Sequence, residues 1–275
     1  MRRLSRCAHG LAALTFSAMA FGAGGNIAIT GHDDDLHSGG NGSKVQLNAM
    51  ITFARAGAPT PSRPVLTFDH GSELTSSLTA LGIPFTNIDP DVGVPAASNF
   101  NVATYSAIVV ASDSTCGGCD NTALSITNLT GAATAISAFL DAGGGIVAFA
   151  GASNASTYYG FLPASASGSG SPPSTGFVQA AFGATVGIPA VNGDPTHNFF
   201  NAPGTAGVSA AYGVVETLGA SGSIVTLACQ TCTTTSLSGG TPTTPAGAPA
   251  ATVPVLILTG IMLIGMVFFL RRRTA

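Results

Sequence analysis

His32, Asp33, Asp34, Asp35 and His37 place two imidazoles and three carboxylates within six positions of a chain that is only 8% charged overall. Three adjacent carboxylates repel one another at neutral pH unless they are solvated or share a cation. Their hard oxygen donors suit calcium, for which an extracellular-side address would let even a weak site fill. The spacing is not that of an EF-hand loop. A second set, Asp69, His70, Asp89 and Asp113, stands directly after short apolar runs. Each aspartate there has a plainer use as well, because a short carboxylate at a helix or turn start accepts from otherwise unpaired backbone N–H groups. Four cysteines form two C-x-x-C pairs, Cys116 with Cys119 and Cys229 with Cys232. In a reducing compartment they suggest a thiolate zinc site; in an exported protein they suggest disulfides, with a redox pair as the third option and the connectivity open.

The elements that would position these groups alternate along the chain. Apolar strands are expected at 27–30, 65–68, 85–88, 107–111 and 146–150, ending at Gly31, Asp69, Asp89, Asp113 and Gly151. Between them, apolar residues recur at helical spacing: Leu47, Met50, Ile51 and Ala54; then Leu74, Leu78 and Leu81; then Leu129, Ala133, Ile136 and Leu140 in one longer helix. Short, nearly continuous apolar strands alternating with amphipathic helices imply right-handed crossovers and a buried parallel sheet. The expected fold is therefore α/β: a three-layer, open, mostly parallel sheet of flavodoxin-like type. Ligands in such sheets bind beyond the carboxyl ends of the strands, where the acidic and imidazole residues gather. After Gly151 the pattern weakens. Residues 151–176 read as a lid or a long surface loop, 177–186 as a short helix, 208–218 as ambiguous and 224–228 as a last strand.

Both ends carry address signals. Residues 1–23 have a basic start, an apolar run from Leu11 to Phe21 and Ala18-Met19-Ala20, the layout of a secretory signal peptide. Residues 24–230 form the expected α/β domain and 231–252 an uncharged Thr/Pro/Gly-rich linker. Residues 253–275 hold an uncharged stretch, Val253 to Leu270, long enough for one membrane crossing, then Arg271-Arg272-Arg273 for the cytoplasmic side. Without both ends only Lys44, Arg55 and Arg63 face all twelve acidic residues, a formal charge of −9. Such a domain disfavours nucleic acid and favours cations.

Three resemblances add to this. The tail resembles PEP-CTERM sorting signals, with Val253-Pro254-Val255-Leu256 where that family has Val-Pro-Glu-Pro. The resemblance implies a secretion translocon and an exosortase-like membrane protease as partners. It also implies export to the periplasm, cell surface or extracellular matrix of a Gram-negative bacterium, with inner-membrane anchoring by one C-terminal span until processing. Tyr105 to Val110, the junction Ala142 to Gly151 and Asp194-Pro195-Thr196-His197-Asn198 are together similar to the class I glutamine amidotransferase-like fold, in its ThuA-like branch. That family's catalytic members carry a cysteine on a tight elbow where this chain has only Ala150, Gly151 and Ala152. Finally, His32-Asp33-Asp34-Asp35 resembles the His-Pro-Asp-Asp-Glu motif of LmbE-like deacetylases. By that resemblance His32 and Asp35 would be zinc ligands, Asp34 the catalytic base and His197 the downstream ligand. The expectation is an exported binding or structural module without catalysis whose acidic rim holds calcium, zinc or a small polar ligand. The alternative is a zinc-dependent amide or ester hydrolase acting on a surface glycan.

Overall fold

The computed structural model describes residues 24–36, 43–113, 115, 120–152, 155–205 and 207–237. The signal segment, His37, Cys116, Cys119 and the tail from residue 238 lie outside the described residues. In chain order the elements are β1 (Gly25–Thr30), α1 (Ser43–Ala56), β2 (Val65–Phe68), α2 (Glu73–Leu81), β3 (Phe85–Ile88), β4 (Ala107–Val110), α3 (Ala123–Gly131), α4 (Ala133–Asp141), β5 (Gly145–Ala148), α5 (Ala155–Tyr158), β6 (Gly168–Ser169), β7 (Phe177–Gln179), α6 (Ala181–Val186), β8 (Phe199–Phe200), β9 (Gly213–Leu218), β10 (Ile224–Cys232) and α7 (Thr234–Leu237).

Five strands in the order β3-β2-β4-β5-β1 are mutually parallel, joined by α-helices except between β3 and β4, where the crossover carries only two short 3-10 turns. Side chains alternate between the two faces. Ile27 and Ile29 join one apolar cluster with α3 and α4, while Ala28 joins the other with α1 and α2. The sheet is thus covered on both sides, and its strands read as continuous apolar runs for that reason.

Beyond β1 the sheet changes character. β10 runs antiparallel to β1, pairing Ala28 with Ala228 and Thr30 with Thr226, and β9 and β8 add to β10 antiparallel. β9 and β10 are joined by a short connection, Gly219 to Ser223, which makes them antiparallel neighbours. Residues 208–218, ambiguous in sequence, contain β9. The stretch 177–186 divides into β7 and α6 instead of forming one helix. The helix expected through Leu129 and Leu140 is two helices, α3 and α4, meeting at 59° beside Gly131, a poor helix former. No other pair of helices, and no single helix, among the described residues is long and apolar enough to be a membrane span, and this pair buries Leu129, Ile136, Phe139 and Leu140 in the core.

Tyr158, Tyr159 and Phe161 are buried, and the two tyrosine hydroxyls tie the strand ends together: Tyr158 donates to the Ala111 carbonyl at 2.5 Å and Tyr159 to the Phe149 carbonyl at 2.8 Å. The domain also runs past residue 230, since β10 extends to Cys232 and Leu237 is buried.

Candidate metal centre

All five parallel strands end on one rim, which carries two clusters of ionisable groups. The outer cluster comes from the ends of β2 and β3. His70 Nδ1 donates to Asp89 Oδ1 at 3.0 Å and lies 3.6 Å from Asp91 Oδ2. One ligand atom from each of His70, Asp89 and Asp91 can be chosen so that all lie within 4.8 Å of one another, so this group could hold a metal ion. Local structure holds each member. His70 N–H donates to Asn121 Oδ1, and the Asn121 amide in turn donates to the Phe68 and Ala111 carbonyls at the ends of β2 and β4. Asp89 caps a short 3-10 turn by accepting from Asp91 N–H at 2.9 Å. Asp91 accepts from the Thr122 hydroxyl at 2.7 Å and from the Ser125 hydroxyl, the two residues that form the capping box of α3.

The electrostatics follow from these contacts. The hydrogen bond to Asp89 raises the His70 pKa; partial burial opposes it and the nearby Asp91 charge adds to it. Burial works against the charged form of Asp91, but the hydrogen bonds from Ser125 and Thr122 outweigh it and hold that carboxyl below its ordinary value. Asp69, expected on the rim, is buried and caps α2 by accepting from Thr75 N–H at 3.1 Å; burial raises its pKa. Asp113 joins the ends of β4 and β5 through its backbone, donating to the Ala150 carbonyl at 2.8 Å. The capping use of these aspartates is therefore realised at Asp69 and Asp89. Of the rim residues singled out in the sequence, His70 and Asp89 come together. Asp91 was missed, although Asp89-Pro90-Asp91 is a recognisable turn sequence.

The inner cluster lies at the end of β1. Gly31 lets the segment 196–198 close over it: a Cβ at Gly31 would collide with the Asn198 carbonyl oxygen, and His197 N–H donates to the Gly31 carbonyl at 2.8 Å. His32 is buried edge-on against Phe177, with Nε2 3.1 Å from Glu216 Oε2 and Nδ1 2.7 Å from Thr196 Oγ1. Glu216 also accepts from Gln46 Nε2 at 2.9 Å, the Thr226 hydroxyl at 2.7 Å and Val191 N–H at 2.7 Å. Asp35 accepts from both N–H and hydroxyl of Ser112, at 2.7 and 2.5 Å. Asp33 lies 3.1 Å from the Thr115 hydroxyl and 3.4 Å from His197 Nε2. Asp34 differs from all of these. It is fully buried, and among the described residues neither of its carboxylate oxygens has a hydrogen-bond partner. Burial pushes its pKa well above the ordinary value, and the carboxylates of Asp194, Glu216, Asp35 and Asp33 push it further. Asp35 is raised as well, by burial and then Asp33, with the Ser112 bonds opposing.

The structure thus places His32, Asp33, Asp34, Asp35 and His197 in one region, but with separate partners. His32 and Asp35 each spend both side-chain polar atoms on protein groups, whereas Asp33 and His197 meet each other. Asp194, Thr196, Glu216 and Gln46 complete the region. Of these, Asp194 and Thr196 sit in a segment already conspicuous in sequence, and Glu216 is a lone acid inside the apolar run Gly213–Leu218, a pattern that marks a buried carboxylate. Cys229 and Cys232 stand at disulfide distance with Cα atoms 6.0 Å apart, pairing within one C-x-x-C. No family model, no curated protein and no solved structure matches this chain.

Proposed function

We propose that this chain is an exported cell-envelope module that binds a divalent cation on its strand-end rim and performs no catalysis. The observation that carries the reading is the outer cluster. One imidazole and two carboxylates offer ligand atoms within 4.8 Å of one another, and the side chains of His70 and Asp89 are 34% and 40% exposed, open to solvent for entry and exchange. A nitrogen donor with carboxylate oxygens suits zinc better than calcium. The hydrolase alternative asks His32 and Asp35 to act as ligands. Their ring nitrogens and carboxylate oxygens have protein partners, which favours the non-catalytic reading.

Export through the signal segment and sorting by an exosortase-like protease belong to the same proposal. The close Cys229–Cys232 pair supports it, because disulfides persist in oxidising compartments. Equilibrium dialysis of the full-length chain against zinc, with His70→Ala as control, tests the metal reading. One zinc lost per chain on substitution is the expected result, and equal zinc in both proteins sinks the assignment. Mass spectrometry of the protein from its native host tests the address. No peptide from Leu256 to Ala275 is expected, and recovery of the intact C-terminus in the inner membrane removes the sorting step.

A further inference from the structure

We propose that Thr196 is an acyl-acceptor site, a hydroxyl activated by His32 and Glu216 that takes a short acyl group from an activated ester, independently of the outer cluster. The three side chains form one line of contacts. Thr196 Oγ1 lies 2.7 Å from His32 Nδ1, and His32 Nε2 lies 3.1 Å from Glu216 Oε2. The other contacts of Glu216 fix the proton positions. Gln46, Thr226 and Val191 all donate to it, so Glu216 is an acceptor and Nε2 of the ring carries the hydrogen. In the neutral imidazole Nδ1 is then the lone-pair nitrogen, and the Thr196 hydroxyl donates to it. The same hydroxyl approaches the Asp194 carbonyl only at 3.3 Å. A nucleophile on a base that is in turn oriented by a carboxylate is the arrangement acyl transfer requires, whatever the fold and the chain order.

The backbone holds this line in place. His32 and Thr196 face each other in an antiparallel bridge, with Asp33 N–H donating to the Pro195 carbonyl on one side and His197 N–H to the Gly31 carbonyl on the other. Residues opposite one another in such a non-hydrogen-bonded pair bring their side chains together, and their own N–H groups point away from the facing segment. The Thr196 N–H is thereby left for the oxyanion that forms on the acyl carbon. Burial grades outward along the line. Glu216 and His32 are 0% exposed, Thr196 is 7% exposed, and the side chain of His197 beside it 26%. Only the hydroxyl end reaches the rim, where ligands of parallel sheets bind, and so small an opening admits a short acyl group. In the step, Thr196 Oγ1 bonds to the acyl carbon as the bond from that carbon to the alkoxy oxygen breaks. The hydroxyl proton passes to His32 Nδ1 and from there to the leaving oxygen, which departs as an alcohol; nothing is oxidised or reduced. Deacylating water would have to pass the acyl group to reach the buried ring behind it, so the ester persists and each chain is modified once, without turnover.

The test incubates the full-length chain, stripped of metal with chelator, with para-nitrophenyl acetate and follows nitrophenol release and intact mass. One acetyl per chain is expected, placed on Thr196 by peptide mass spectrometry, with release stopping at that stoichiometry. His32→Gln should slow the labelling by about a hundredfold, the usual share of a general base. Thr196→Ser should label and Thr196→Val should not. Glu216 acts through the ring and is a positioning residue. Glu216→Gln should lower the limiting rate and leave the ester concentration at half-rate unchanged; the opposite pattern overturns its role. No acetyl on Thr196 in the wild-type chain overturns the proposal whether or not the variants fold, as does labelling of His32→Gln at the wild-type rate, and either result leaves zinc binding at the outer cluster standing. Continuous nitrophenol release without accumulated acetyl overturns the single modification and the non-catalytic reading together. A chain that binds no zinc yet labels at Thr196 refutes the outer site alone.

Discussion

Replacing Glu216 by Gln keeps size and shape but alters a carboxylate that organises four donors across 10 to 184 residues of sequence. The glutamine amide must face one side or the other. Turned towards Val191, it sets an N–H against the N–H that now lies 2.7 Å from Oε1. Turned the other way, it meets His32, Gln46 and Thr226 together, which is worse. The cheaper arrangement loses one hydrogen bond to a charged acceptor and strands a buried backbone donor, each about 1–3 kcal/mol. Removing one of several buried negative charges returns part of this, so the net loss is about 2–3 kcal/mol, a Tm drop of roughly 5–10 °C for a domain of this size. Glu216→Leu, which strands every donor, should cost about twice as much. Thermal and urea unfolding in chelator, with m-values compared, give the number. A Glu216→Gln protein within about 0.5 kcal/mol of wild type, inside the usual scatter of neutral substitutions, would falsify the assignment of Glu216 as the charged hub of this network.

Thr122→Ala removes the α3 cap, where Oγ1 accepts from Leu124 and Ser125 N–H, and should cost about 1 kcal/mol in urea unfolding while weakening zinc binding through the freed Asp91. Tyr159→Phe deletes the hydroxyl that donates to the Phe149 carbonyl, a buried bond, and should cost about 1–2 kcal/mol by the same assay. In chelator, stability should fall as pH rises. The folded-state pKa values of Asp34, Asp35 and Asp69 are raised, so the unfolded chain releases its protons first, from about pH 4 upward, and each unit of pH then costs stability until the folded group also ionises. His70, also raised, adds loss in the same direction nearer neutrality, while Asp91, lowered, acts oppositely and only on acidification. A metal-free Tm that is flat between about pH 5 and pH 8, or higher at the upper end, refutes this.

Composition and periodicity alone determined the parallel half of the sheet. Four-residue apolar strands such as Val65–Phe68 and Ala107–Val110 can be buried on two faces only beneath helices, and helices of that length between them leave one handedness of crossover. The rim followed, since the residues after parallel strands share an edge. What lies after Gly151 was not legible in this way. Two-residue strands such as Gly168–Ser169 and Phe199–Phe200 are too short to show a period, and they are strands only because β10 and its neighbours offer them edges. The division of labour among the acids was decided by tertiary structure as well. Asp34 and Asp35 are adjacent and alike in sequence, yet Ser112 reaches one and no donor among the described residues reaches the other. A carboxylate's state depends on which N–H and O–H groups the fold delivers to it, and those come from strands and loops up to 184 residues away, beyond anything local spacing encodes.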